Sequence, residues 1–377
     1  MINIVLFIIS LVESFQISNV YYTKNISSSL IVTMFKKLNI TLSGNIGLKV
    51  HTGEIGGKYF LTPDFLQEIY DYLNGTFIEC NTAYTSYDRH TTEGHEKVLK
   101  ANGWRNNSRR TVIMDEDPSQ DFNLSIPHHK NISNNIVGGH LRDFNSCLVL
   151  AHFKGHAMGG FGGALKQLSI GFASTAGKAN IHSGGFTSNN TECWDHKAEQ
   201  ADFTSAMADA AWSIVNYFRE REGIAFINVM SNISTRCDCG VGAPEPKVRD
   251  LGILASLDPV AIDRASFDLI AKENTEGSRE WVINSDERLG ENTLNVSEEL
   301  GTGSQAYKLI CIDEEDVEPE PEPESEGGNI FWYILIPVVT VILVAIGLAI
   351  FFICKKESNP NPANQSLGVS MTGKTED

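Results

Sequence analysis

The stretch CLVLAHFKGHAMGGFGGALK, residues 147–166, decides how the chain is read. Its first five residues are apolar without alternation, the pattern of a strand buried on both faces. Two histidines then flank a lysine (His152, Lys154, His156), and four glycines follow at Gly159, Gly160, Gly162 and Gly163. Five other runs share the apolar, often β-branched character: residues 46–50, 76–80, 111–114, 224–229 and 251–255. Between some of them lie helical patterns, over 63–73, 92–102 and 203–222. Strand and helix in alternation predict an α/β fold, with a largely parallel or mixed sheet and flanking helices. No internal repeat or linker interrupts residues 16–312, so one domain is expected there.

Each expected strand hands over to polar side chains. His51, Thr52 and Glu54 follow the first, and Asn81, Thr82 and Tyr84 the second. Asp115, Glu116 and Asp117 follow residues 111–114, while His152, Lys154 and His156 follow 147–151. The run 224–229 leads to Cys237, Asp238 and Cys239, and 251–255 ends at Asp258. In open α/β sheets the ligand crevice lies outside the carboxyl ends of the strands. Parallel strands would therefore gather these groups on one rim. Loops are also polar for plainer reasons, helix capping among them. Asp258 followed by Pro259 reads as an N-cap with proline at the first helical position. His152, Lys154 and His156 read instead as candidate catalytic residues, since histidine titrates near neutral pH and suits acid–base work.

The glycines admit two readings. Gly159, Gly160, Gly162 and Gly163 at a helix start could present backbone N–H groups to an anionic cofactor, with Lys154 or Lys166 adding charge. They could equally serve close packing or positive φ angles. No Gly-Lys-Ser/Thr closes the run, and Ser174–Lys178 fails the same test because Ala179 follows, so neither is a P-loop. A metal reading rests on His152, His156, Cys237, Asp238 and Cys239, with His182 as a further imidazole. Imidazole and thiolate together suit zinc or another divalent transition ion. Cys-Asp-Cys is not a zinc-knuckle spacing, however, and in an oxidising space those thiols could be bridged.

The ends speak to compartment. Residues 2–12 form an apolar run of signal-peptide length, so 1–15 is expected as a leader. Residues 330–354 carry no charge over a length sufficient to span a bilayer, and Lys355 and Lys356 follow. The expected order is an outward-facing domain (16–312), an acidic Glu/Pro stalk (313–328), a transmembrane helix (329–354) and a cytosolic tail (355–377). That is a single-pass type I protein of the plasma membrane or an endomembrane. Nine glycosylation sequons, at Asn25, Asn39, Asn74, Asn106, Asn123, Asn131, Asn189, Asn232 and Asn295, fall on the expected outer side. Of the net charge of −17, nine acidic residues sit in 313–326 alone, so the acidity is mostly a self-repelling spacer. No basic patch with interleaved aromatics is present, which argues against a nucleic-acid partner. Seven cysteines, six of them before the stalk, are too few for a disulfide scaffold, so a hydrophobic core must carry the fold.

The segments VYYTKNIS (20–27), LKVHTGE (48–54), ECNTAY (79–84), IMDEDPS (113–119), LVLAHFKGHAMGGFGGALKQLSIG (148–171), INVMSNIS (227–234), CDC (237–239), LGILASLDPVAID (251–263), LGENTL (289–294) and YKLICID (307–313) resemble, in that order, the family of domain of unknown function 362. The resemblance covers about residues 19–313. It implies an α/β domain and carries over no catalytic residue. Many relatives hold iron–sulfur clusters on a ferredoxin-like insert with Cys-x-x-Cys patterns. Here the corresponding place, residues 185–202, holds only Cys193, so the resemblance implies no iron–sulfur cluster in this chain.

Two functions compete at this stage. One is a metal- or anion-binding small-molecule site on the strand rim, built from the His-Lys-His and Cys-Asp-Cys groups. The alternative is a cell-surface binding or adhesion module with no catalytic activity.

Overall fold

The computed structural model describes residues 17–314, with 237, 239 and 241 outside the described set. Its centre is an eight-stranded sheet. The strands are β1 (Ser18–Thr23), β2 (Ile46–Lys49), β3 (Thr76–Glu79), β4 (Thr111–Ile113), β7 (Ser146–His152), β10 (Ile224–Met230), β11 (Gly252–Ser256) and β12 (Tyr307–Cys311). Their spatial order is β12-β1-β11-β10-β7-β2-β3-β4. All six runs expected as strands are there, and the α/β fold with a mixed, mostly parallel sheet stands. Strands β4, β3, β2, β7 and β10 run parallel. Strand β11 runs against both β10 and β1. Its reversal has a simple cause: among the described residues no helix lies between Met230 and Gly252. A parallel return requires a long crossover, usually helical.

The central strands are apolar on both faces because both faces are covered. In β7, Cys147 and Val149 enter one core cluster while Leu148 and Leu150 enter the other. In β10, Phe226 and Ile227 divide in the same way. Helix α1 (Ser28–Lys37) buries Ile31, Met34 and Phe35 against one face. Helices α2 (Gln67–Leu73) and α3 (Thr92–Ala101) match the patterns read at 63–73 and 92–102. Helix α4 spans Thr175–His182, and α5 (Gln200–Arg219) packs Ala211, Ile214 and Val215 on the opposite face. Helix α6 (Pro259–Glu273) starts at Asp258, whose Oδ1 accepts from the N–H groups of Val260 and Ala261 at 2.8 and 3.0 Å. That is the cap read from the sequence. Because β11 is antiparallel, Asp258 lies at the end of the sheet opposite the parallel strands' carboxyl rim. The expectation that it joins that rim is corrected.

The glycine-rich stretch folds otherwise than a helix start. Strands β8 (Lys154–His156) and β9 (Gly160–Gly162) pair as a hairpin. Gly160 turns it at φ +78°, in the left-handed region. A short helical segment follows, Ala164–Lys166, passing into a π-helical turn at Gln167–Gly171. Its first N–H groups are already occupied by an anion from the protein. Ala164 N donates to Asp263 Oδ1 at 2.8 Å and Leu165 N to Oδ2 at 2.9 Å. A Cβ on Gly163 would stand 2.4 Å from Asp263 Oδ1, so glycine is needed for the carboxylate to come this close.

Residues 1–15, the stalk beyond 314, the apolar run 329–354 and the tail 355–377 lie outside the described residues. The membrane reading of the sequence finds no support among the described residues, where no helix is long and apolar enough to cross a membrane; the run on which it rests lies outside them. The longest of them, α5, reaches 20 residues but carries Asp202, Asp209 and Arg219 and buries its apolar face in the core. Of the nine sequon asparagines, eight have exposed side chains and Asn131 is half-buried.

Asp263 also accepts from Asn228 Nδ2 at 2.8 Å and is fully buried. Removing its carboxylate takes the acceptor from Ala164 N, Leu165 N and one N–H of Asn228, whose other bond to Ser266 remains, which predicts that Asp263→Ala lowers unfolding free energy by about 3 kcal/mol. Urea unfolding measures this, and a loss under about 1 kcal/mol would show that the clamp matters little.

Candidate functional site

The parallel strands bring their carboxyl ends to one edge, and a cavity of about 70 Å³ opens there. His51 arrives from β2, the segment from Cys80 to Tyr84 from β3, and His152 and Lys154 from the end of β7 and the start of β8. Lys166 and Gln167 come from the helical segment after the hairpin, and Lys178 and His182 from α4. Phe60, Leu61, Leu150 and Ile170 form its apolar wall.

Beneath the cavity lies a buried charge cluster. Glu79, the last residue of β3, accepts from Thr52 N and Thr52 Oγ1 at 2.7 and 2.5 Å. Its other oxygen faces Arg89 Nη1 at 3.2 Å and Lys49 Nζ at 3.9 Å. Arg89 Nε also donates to Glu54 at 2.8 Å. Burial opposes ionisation of Glu79, yet Arg89 and Lys49 outweigh it and hold the carboxyl well below the usual carboxylate range. Burial lowers the Lys49 amine to about 8, against the pull of Glu79. Lys49 Nζ donates to Val50 O at 2.7 Å and to Gln167 Oε1 at 2.9 Å, tying the strand end to the cavity wall. Burial pushes the Cys80 thiol well above its ordinary value. It therefore stays protonated, donates to Phe172 O at 3.3 Å, and is no nucleophile.

The candidate residues read from the sequence divide. His152 lines the cavity, with Nε2 at 2.5 Å from Ser231 O and Nδ1 at 3.8 Å from an Asp238 oxygen. Lys154 lines it too and forms an ion pair with Asp238. His156 is not brought to the cavity. Its Nδ1 accepts from the N–H groups of Met158 and Gly159 at 3.2 and 3.0 Å, which fixes the hairpin turn. The structure gives that ring nitrogen a part in the turn. Gly162, Gly163 and Lys166 reach the cavity, whereas Gly159 packs against Met207 and Gly160 against Gly290. Cys237 and Cys239 lie outside the described residues. Among the described residues no three His, Cys, Asp or Glu side chains converge to hold a metal ion. Of the expected metal ligands, His152 and Asp238 do stand together.

Glu79, Lys49 and Arg89 were missed in the sequence. A lysine and a glutamate inside apolar strands were a usable signal, since unpaired charges are rarely buried. Nothing local marks Arg89. Lys178 was noticed only as a failed P-loop.

A family model described as Domain of unknown function (DUF362) matches residues 46–268, from β2 through most of α6 and across every residue that lines the cavity. The chain belongs to this family. No curated protein sequence matches this DUF362 chain. Among solved structures it is similar to a protein of Thermotoga maritima, at 14% identity and a TM-score of 0.35 over 74% of this chain. The chain spans 60% of that protein's length. It is also similar to the lactate racemase apoprotein of Thermoanaerobacterium thermosaccharolyticum, at 11% identity and a TM-score of 0.37. That match covers 78% of this chain and 83% of the other.

Burial lowers both His95 and His182 to about 3, against 6.5 for a free imidazole. Between those values the unfolded chain binds more protons than the folded one, so stability rises with pH across that window. It is complete above 6.5 and is lost as pH falls toward about 3. Urea unfolding followed from about pH 7 down to about pH 4 is expected to show this loss, less steeply in His182→Phe. Equal slopes would show that His182 is not held neutral by burial.

Proposed function

We propose that this DUF362 domain binds a small oxyanion, a carboxylate or phosphate, in the rim cavity. The observation that carries the reading is the charge on the cavity wall: Arg89, Lys154, Lys166 and Lys178 against one carboxylate, Glu79. Behind the wall, Glu54 and Asp238 offset two of these cations and Lys49 adds another, so positive charge remains in excess. This happens in a chain whose net charge is −17. The positive field is thus a local arrangement of the rim, of the kind that concentrates an anionic ligand. The apolar wall strengthens it by limiting water and lowering the local dielectric.

Size narrows the ligand. A water needs roughly 10–15 Å³ by this measure, so the cavity holds about five waters. A small organic acid or a phosphate group fits that space. The rim offers the ammonium groups of Lys154, Lys166 and Lys178, the guanidinium of Arg89 and the imidazoles of His51, His152 and His182. Ammonium groups neutralise and orient an oxyanion, while a neutral imidazole donates or accepts one hydrogen bond.

Calorimetric titration of the purified chain with inorganic phosphate and with acetate tests the reading. Saturable binding of at least one is expected, weakened about tenfold or more in Lys166→Met/Lys178→Met, the loss of about 1.4 kcal/mol that one charge-assisted contact represents. Absence of saturable binding of either anion, with the fold intact, would return the domain to the class of non-catalytic binding modules.

A further inference from the structure

The cavity contains one polar side chain that the protein does not use. His182, at the end of α4, is only 5% exposed and lines the cavity. Its ring lies parallel to Phe203 (centroids 4.9 Å, 10°) and against Trp194 (5.1 Å). Nδ1 is buried with no hydrogen-bond partner. Among the described residues, Nε2 makes no hydrogen bond to the protein either. Buried polar groups are almost always paired, and an orphaned one is destabilising. If packing were the whole purpose, phenylalanine would fill the same aromatic sandwich without that penalty.

Position adds a second argument. Lys178 and His182 are four residues apart on α4 and so share one face, and both line the cavity. Lys178 brings charge, held by its bond to Ala173 O at 2.5 Å. His182 brings a ring that burial and the nearby Lys166 and Lys178 keep neutral, with one donor and one acceptor nitrogen. A neutral imidazole gains little from the oxyanion's charge. It suits a neutral oxygen or nitrogen on the same ligand, and the aromatic rings hold it in place before any ligand arrives.

Resting on the oxyanion reading, we propose that His182 is the specificity-determining residue of the cavity. It hydrogen-bonds a hydroxyl, carbonyl or amide group of the ligand, which is therefore a small acid carrying such a group beside its anionic head. A site with an orphaned polar group discriminates strongly against ligands that leave it unpaired.

The test compares glycolate with acetate, which differ by one hydroxyl, and includes inorganic phosphate. Each is titrated into the wild-type chain, His182→Phe and His182→Gln. Glycolate is expected to bind the wild type about tenfold or more tighter than acetate. In His182→Phe that ratio should fall to within about twofold, and His182→Gln should recover part of it. A wild-type ratio near one, or a ratio that His182→Phe leaves intact, would overturn the assignment. The wild-type ratio decides alone if His182→Phe does not fold. Failure of all three anions to bind the wild type would instead remove the oxyanion reading, and this inference with it.

Discussion

The carboxylate of Glu79 is buried at the end of a strand, where an isolated charge would be untenable. Desolvating a single ion costs several kcal/mol even after relaxation, and only close counter-charges and hydrogen bonds offset it. Lys49 on the neighbouring strand and Arg89 from the turn before α3 supply the charge, and Thr52 supplies two hydrogen bonds. The parallel pairing of β2 with β3 makes this possible, since it sets Lys49 and Glu79 at the same end of adjacent strands. Everything above the cluster follows from it. The carboxylate that lines the cavity is already engaged, and the lysines of the hairpin, the helical segment and α4 line the same cavity, Lys154 paired with Asp238.

The same logic of local neutralisation explains why the glycine-rich stretch does not cradle a ligand through its helix start. Backbone N–H groups at a helix start attract whichever anion is nearest. Here that anion is Asp263, which reaches from α6 and is admitted by the absence of a side chain at Gly163. The clamp fixes the segment that carries Lys166 and Gln167 into the wall. Gly160 and Gly163 let one part of the protein approach another, while Gly162 and Gly163 also line the cavity.

Much of this architecture was legible in the chain. Apolar runs without alternation identified six of the eight strands of the main sheet, because a sheet covered on both faces favours apolar residues in both registers. Asp258 with Pro259 announced the start of α6, because capping is decided by neighbours two and three residues away. His152, Lys154 and Lys166 were singled out because they follow a run of strand character, and all three line the cavity. His156 was read together with them but does not line the cavity; its Nδ1 accepts from N–H groups of its own turn, which could not be foreseen from a lysine and glycines.

The sequence by itself settled six strands of the main sheet, the helical patterns that became α2, α3 and α5, and the start of α6, since those depend on periodicity and on contacts within a few residues. It also settled which loops carry charge. Only the tertiary structure decided strand direction, and with it that β11 reverses and carries Asp258 to the opposite end of the sheet. It alone brought Arg89 to Glu79 and Asp263 to Ala164, and it alone left His182 between two rings with its nitrogens unused. The reason is the same in each case: charge pairing and hydrogen-bond satisfaction act across a few ångströms of space, between groups that can stand a hundred residues apart along the chain.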